Sequence, residues 1–262
     1  MGMGSDFPYH RRAFKSREHA MSEPDHEPSA AAARDLARAV ADLWQRQLGE
    51  ALLGAYVIGS LAHGGFNRRY SDIDVALVTE EGVGEAMILA AAEEAARIAP
   101  DLAPKLSLFW TDRAFSKGRF PLLDRIDYLD HAVVLAERER VRPERPGLGE
   151  VRAYLRGRPF ETWASRAARF AALDRLEEED RKPYLRAHLY PARFVFSWMT
   201  GDVASNDRAV RYLEEHLPAG LDPAPIARAL ACRRAAADPD GLFGLRGLLP
   251  CQVEALEALM SE

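Results

Sequence analysis

Strand-like patterns are confined to the first half of this chain and only helical patterns follow, which restricts the fold to a small sheet-containing unit joined to an all-helical one. The run Ala55 to Ile58 is short, apolar and stopped by Gly59, and Asp72 to Val78 alternates before Thr79-Glu80-Glu81-Gly82. Lys105 to Thr111 alternates Leu106, Leu108 and Trp110 as a third strand, and His131 to Ala136 supplies a fourth. Ahead of them, Ala33, Leu36, Ala37, Val40, Leu43, Trp44 and Leu48 recur at three- and four-residue steps, with Ser29 as a possible N-cap. Gly84 to Ile98 is Ala-rich and helical, so the order is helix, strand, strand, helix, strand, strand.

From Glu137 to Gly149, Arg and Glu alternate and Pro143, Pro146, Gly147 and Gly149 interrupt any regular element. Beyond lie helical patterns at Phe160 to Leu176, Leu185 to Thr200, Asp207 to Leu217, Pro223 to Ala236 and Cys251 to Met260. The expected class is therefore α+β, with a small mixed-sheet domain over residues 29–142 and a helical C-terminal domain over 147–262. Residues 1–28 lack apolar periodicity and are expected to be disordered or foreign to the natural chain, with a second plausible opening at Met21.

The 262 residues are 48% hydrophobic and 29% charged, ordinary for a protein with a real core. A net charge of -5 argues against a generally basic surface, so nucleic acid is an unlikely partner. Cys232 and Cys251 lack the companions of a zinc cluster or disulfide framework and are expected to be buried thiols in a reducing cytoplasm. No apolar run is long enough for a membrane span, and no secretory leader is evident.

The chemistry-bearing feature is Gly59-Ser60, then Gly64-Gly65, then Ser71-Asp72-Ile73-Asp74. Residues i and i+2 of a strand share a face, so Asp72 and Asp74 can grip one hard cation while Ile73 turns into the core. Mg²⁺ takes such oxygens together with substrate phosphates, and glycine lets exposed backbone N–H groups approach those phosphates. Ser71 either donates to a phosphate or merely opens the strand. His63, Asn67, Arg68 and Arg69 read as a solvated loop.

These residues resemble the motif of polymerase-β-like nucleotidyltransferases. The resemblance implies that Gly59 and Ser60 hold a nucleoside triphosphate and that Asp72 and Asp74 bind the Mg²⁺ that bridges to it. The run Arg193 to Arg208, containing Thr200-Gly201, and the following helix ending in Leu217-Pro218, resemble the helical domain of the streptomycin/spectinomycin adenylyltransferases. That likeness spans most of residues 31–236. It implies transfer of AMP from ATP to a hydroxyl of a small polar, aminoglycoside-like acceptor held between two domains. Arg193 matches an arginine that reaches the nucleotide in that family; alternatively it is a surface arginine.

Two positions depart from the family pattern. Its third acidic residue would fall on the strand that here reads Pro104-Lys105-Leu106-Ser107-Leu108, and no carboxylate occurs there. Asp112, the nearest substitute, falls on the opposite face of a regular strand, and Lys105 is a candidate to meet a phosphate instead. Where the family has a lysine before aspartate, this chain has Asn206-Asp207, with Asn206 a possible helix cap. These departures keep open a second expectation, a catalytically impaired nucleotide-binding sensor of the same fold.

Overall fold

The structure, a computed structural model, describes residues 29–261, so the expectations for residues 1–28 lie outside the described residues. It is an α+β fold, a five-stranded mixed sheet with flanking helices followed by a helical region. The expected strands all form, and a two-residue strand joins them. β1 (Leu52–Val57), β2 (Ile73–Thr79), β3 (Leu106–Asp112), β4 (Gly118–Arg119) and β5 (Val133–Glu137) assemble in the order β4-β3-β2-β1-β5. Only β2 and β3 run parallel, and the crossover between them carries α3 (Glu85–Ile98).

Alternation along β2 decides what each side of the sheet becomes. Ile73, Val75 and Leu77 face α1 (Ser29–Leu48) and α3, where Leu36, Val40, Trp44 and Ile88 close one core. The Trp44 indole N–H is satisfied by the Ile88 carbonyl at 3.0 Å. Ala76 and Val78 point the other way, with Tyr56, Ile58 and Phe109, against Tyr128 of α4 (Leu122–His131). Asp72 and Asp74 share the parity of Ala76 and Val78, so the strand delivers both carboxylates to the α4 side.

The helical region comprises α5 (Leu148–Arg156), α6 (Arg158–Ala171), α7 (Glu178–Thr200), α8 (Asn206–Glu215), α9 (Pro223–Arg234), α10 (Asp240–Phe243) and α11 (Leu249–Ser261). α6 buries Phe160, Trp163, Ala167 and Phe170 on one stripe at helical spacing. α7 begins seven residues earlier than expected because Pro183 sits in its opening turns, and Glu178, Glu179 and Asp180 complement the helix dipole there. It ends at Gly201, which takes the left-handed conformation (φ 70°) that closes a helix. α4 and α5 were not expected: the pattern of α4 is only ten residues long, and α5 lies against the Pro/Gly-rich stretch that had marked a boundary. Buried Val151 and Leu155 hold α5 to α7.

The loop 64–71 binds the sheet to the helices. Arg233 of α9 is buried and donates to the Gly65 carbonyl (3.3 Å) and the Ser71 hydroxyl (2.7 Å), while Asn67 donates to the Arg233 carbonyl at 3.0 Å. Arg69 pairs with Asp238 and donates to the Ala236 carbonyl at 3.0 Å, and the Tyr70 hydroxyl bonds the Ala237 carbonyl. The loop is thus docked rather than solvated. The cysteines also differ from expectation: Cys232 is half-buried and Cys251 exposed, since the apolar face of α11 falls on Leu249, Ala255 and Leu256.

Candidate active site

A cleft of about 670 Å³ opens between the sheet edge and the helices and is lined by Gly59, Ser60, Asp72 and Asp74. Gly59 follows β1 with φ 65°, and a Cβ there would collide with the Asp74 carboxylate. Only glycine lets the turn and the acid share this space. Gly59 and Ser60 open a one-turn helix, α2 (Gly59–Ala62), and the Ser60 hydroxyl is buried without a hydrogen-bond partner. An unsatisfied buried hydroxyl facing a cleft is a donor waiting for a ligand oxygen. The Gly59 N–H, by contrast, is taken: it donates to Asp127 of α4 at 2.6 Å.

Asp127 was missed by sequence reasoning, as was Asp124, one turn before it on the same helix and also on the cleft wall. The signal lies in two aspartates three apart beside apolar Leu122, Leu123 and Ile126, a pattern too short to distinguish a helix from a loop. Asp127 is buried and bridges the Gly59 N–H to His63, whose Nε2 lies 2.8 Å from its other oxygen. His63 also packs on His131, ring centroids 4.7 Å apart. It is therefore not the solvated loop histidine expected; the α4 carboxylate draws it in.

Electrostatics divide the acids. Burial pushes Asp74 up to about 6, the neighbouring charge of Asp72 adds to this, and a hydrogen bond from Ser107 opposes it. Asp124 is pushed up to about 7, first by burial and then by Asp74 and Asp127, with Arg193 opposing. For Asp72 burial acts upward, yet Arg186 and Lys182 together outweigh it and hold the group below the usual carboxylate range. Lys182 donates to one Asp72 oxygen and Arg186 to the other at 2.5 Å. Lys182, Arg186 and Arg193 stand at i, i+4 and i+11 of α7, so at about 100° per residue they fall on one stripe facing the cleft.

Ser71 lines the cleft, but its buried hydroxyl accepts from the Asn67 N–H (2.9 Å) and from Arg233. Arg193 reaches the cleft with its guanidinium exposed. Sheet register identifies the β3 residue beside the metal-binding candidates. Asp74 pairs with Ser107, and Ser107 shares the α4 side with Phe109, so Ser107 stands opposite the metal-binding candidate. Lys105 ends a 3-10 turn before the strand, its ammonium 3.5 Å from the Arg69 carbonyl. Asp112 is buried across the sheet, where it accepts from the Ser116 hydroxyl and N–H, both at 2.8 Å. Asn206 is the first residue of α8, and the cap is Ser205, which accepts from the Arg208 N–H at 3.2 Å.

Among the described residues no three His, Cys, Asp or Glu side chains converge as a complete metal cage. The donors present nonetheless fit Mg²⁺. Two carboxylates at the head of β2 face the same cleft, and an ion between them would keep its remaining positions for water and phosphate. Also among the described residues, no helix is long and apolar enough to cross a membrane.

Comparison with known proteins finds a fold neighbour but no close relative in sequence. No family model and no curated protein sequence matches the chain. Among solved structures, it is similar to the spectinomycin adenyltransferase AAD(9) from Enterococcus faecialis, determined with ATP and spectinomycin. The TM-score is 0.55 at 12% identity, over 87% of this chain and 99% of that one. A likeness at that identity establishes the nucleotidyltransferase-like fold.

Proposed function

We propose that this chain is a Mg-dependent nucleotidyltransferase that moves AMP from ATP to a hydroxyl of a small polar acceptor. The observation that carries this reading is the meeting of Asp72 and Asp74 with the Gly59-Ser60 turn on the floor of one cleft. The fold it shares with an adenylyltransferase supports it. Asp72 and Asp74 hold the metal. When bound, Mg²⁺ offsets negative charge on the triphosphate as it develops. Ser60 would donate its free hydroxyl to a phosphate oxygen, and Lys182 and Arg186, which pair with Asp72 in the free chain, would turn to the triphosphate when Asp72 serves as a metal ligand. Arg193 and the Ser71 edge of the cleft complete the nucleotide site.

The acceptor oxygen attacks the α-phosphorus. A new O–P bond forms, the bond to the bridging oxygen of the β-phosphate breaks, and pyrophosphate leaves with that oxygen. We assign the hydroxyl proton to Asp124, which lies in the same cleft. Labelled ATP incubated with purified protein and candidate acceptors tests the reaction. Undiminished transfer after both Asp72 and Asp74 are changed to asparagine would sink the site. A second reading, a nucleotide sensor without turnover, is favoured by Ser107 in place of an acid and by the Lys182–Asp72–Arg186 cluster. It predicts Mg·ATP binding with no pyrophosphate released on any acceptor.

A further inference from the structure

We infer that the acceptor carries a negative charge: it is a hydroxyl compound, such as a sugar or polyol, bearing a phosphate or carboxylate, and not a polycation. The inference rests on the nucleotidyl-transfer reading and adds the acceptor's chemical class. Its basis is the unequal charge of the two walls. The sheet side supplies Asp72, Asp74, Asp124 and Asp127 with the single arginine Arg119, whereas the helical side supplies Arg158, Arg166, Lys182, Arg186, Arg193 and Arg233 with the single carboxylate of Asp207.

An ammonium group entering this cleft needs an unclaimed carboxylate. Asp207 is engaged by Arg234, whose Nε lies 2.7 Å away. Both Asp127 oxygens are taken by Gly59 and His63. Asp72 and Asp74 belong to the metal, which leaves Asp124 alone, already beside the charge of Arg193. A compound with several ammonium groups therefore meets donors and positive charge along the whole helical wall, an arrangement that rejects it.

The same wall suits an oxyanion. Lys182, Arg186 and Arg233 cluster around Asp72 and Ser71, at the triphosphate end. Arg166 stands on α6, which packs against α7 apart from that cluster, and among the described residues it makes no hydrogen bond or ion pair. Between these helices Trp163 and Tyr190 stack with ring centroids 4.8 Å apart at 17°, and the Tyr190 hydroxyl is buried without a partner. The Arg166 guanidinium and the free phenol, beside aromatic rings that line the cleft, match a ring compound with an anionic substituent.

Calorimetry on the full chain tests this, with the nucleotide site first filled by Mg²⁺ and the non-hydrolysable analogue AMPCPP. The probes are glucose 6-phosphate, glucose and spectinomycin. The expected result is glucose 6-phosphate binding at least about tenfold tighter than glucose, with no heat from spectinomycin. Arg166→Glu, at an exposed site, should then weaken the phosphate ester by about tenfold or more and leave AMPCPP binding intact. Spectinomycin binding as tightly as the phosphate ester, or a phosphate ester no better than glucose, overturns the inference while AMPCPP binding keeps the nucleotide site standing. Failure of Mg·AMPCPP itself to bind overturns the reading beneath it, and the inference falls with it.

Discussion

Gly59→Ala should damage the nucleotide site far more than it damages the fold, and Gly64→Ala provides the control. Both glycines are left-handed, with φ 65° and 75°, so each substitution carries the cost of placing a Cβ in that region, about 1–2 kcal/mol. At roughly 2–4 °C per kcal/mol for a chain of this size, either variant should lose several degrees in melting temperature. Their surroundings differ: nothing lies within 4 Å of a Cβ at Gly64, whereas a Cβ at Gly59 strikes the Asp74 carboxylate. Asp74 must rotate or retreat along β2, and the Gly59 N–H bond to Asp127 at 2.6 Å moves with it. Displacing one of two metal ligands should weaken Mg·AMPCPP by more than about tenfold, or 1.4 kcal/mol. Gly64→Ala should stay within about threefold of the parent. Thermal melts and calorimetric titrations of the two variants in parallel provide the measurement. Equal nucleotide affinity in both, despite the collision at Asp74, would refute the role given to this turn.

Further outcomes follow from the same geometry. Ser60→Ala should keep or slightly raise stability, because the lost hydroxyl has no partner in the free protein, yet weaken Mg·AMPCPP severalfold; melts and calorimetry read the two effects separately. Asp124→Asn should lower the turnover rate by about 10² to 10⁴ while Mg·AMPCPP binding persists, as a proton acceptor requires and a metal ligand does not. The carboxyls of Asp74 and Asp124 are raised in the folded chain, to about 6 and about 7. The folded state thus binds protons more tightly than the unfolded one, and the stability this confers is lost as pH rises through those values. Without Mg²⁺, melting temperature should rise between pH 8 and pH 5, and Asp124→Asn should flatten the trend. Activity should run oppositely and climb as pH rises through about 7, where Asp124 becomes ionised.

The sheet and the metal-binding candidates were legible because their signal is local. Alternation in Asp72 to Val78 fixes which side each carboxylate takes, and Gly59 is demanded by a backbone angle that its neighbours cannot supply. The rest of the site depends on contacts distant in sequence. Asp127 reaches Gly59 across 68 residues, and Lys182 reaches Asp72 across 110. No periodicity announces such meetings. The α7 row was readable as a stripe of Lys182, Arg186 and Arg193, but what the stripe faces is decided by the docking of Arg233 on Ser71. The same docking explains why Arg69, read as part of a solvated loop, joins Tyr70 in holding the two halves of the molecule together. Register is of the same kind: β3 starts after a 3-10 turn that ends at Lys105, and pairing with β2, which the strand pattern alone does not reveal, puts Ser107 opposite Asp74.

The central claim is that Asp72 and Asp74 hold the metal of a bound nucleotide. A crystal structure of the protein with Mn²⁺ and AMPCPP, with the anomalous signal of manganese locating the ion, tests it most directly. The account predicts an anomalous peak bridged by both carboxylates and the triphosphate, a phosphate oxygen on the Ser60 hydroxyl, and Lys182 and Arg186 turned from Asp72 to the phosphates. Manganese held elsewhere, or AMPCPP bound away from the Gly59-Ser60 turn with Lys182 and Arg186 still on Asp72, would contradict it.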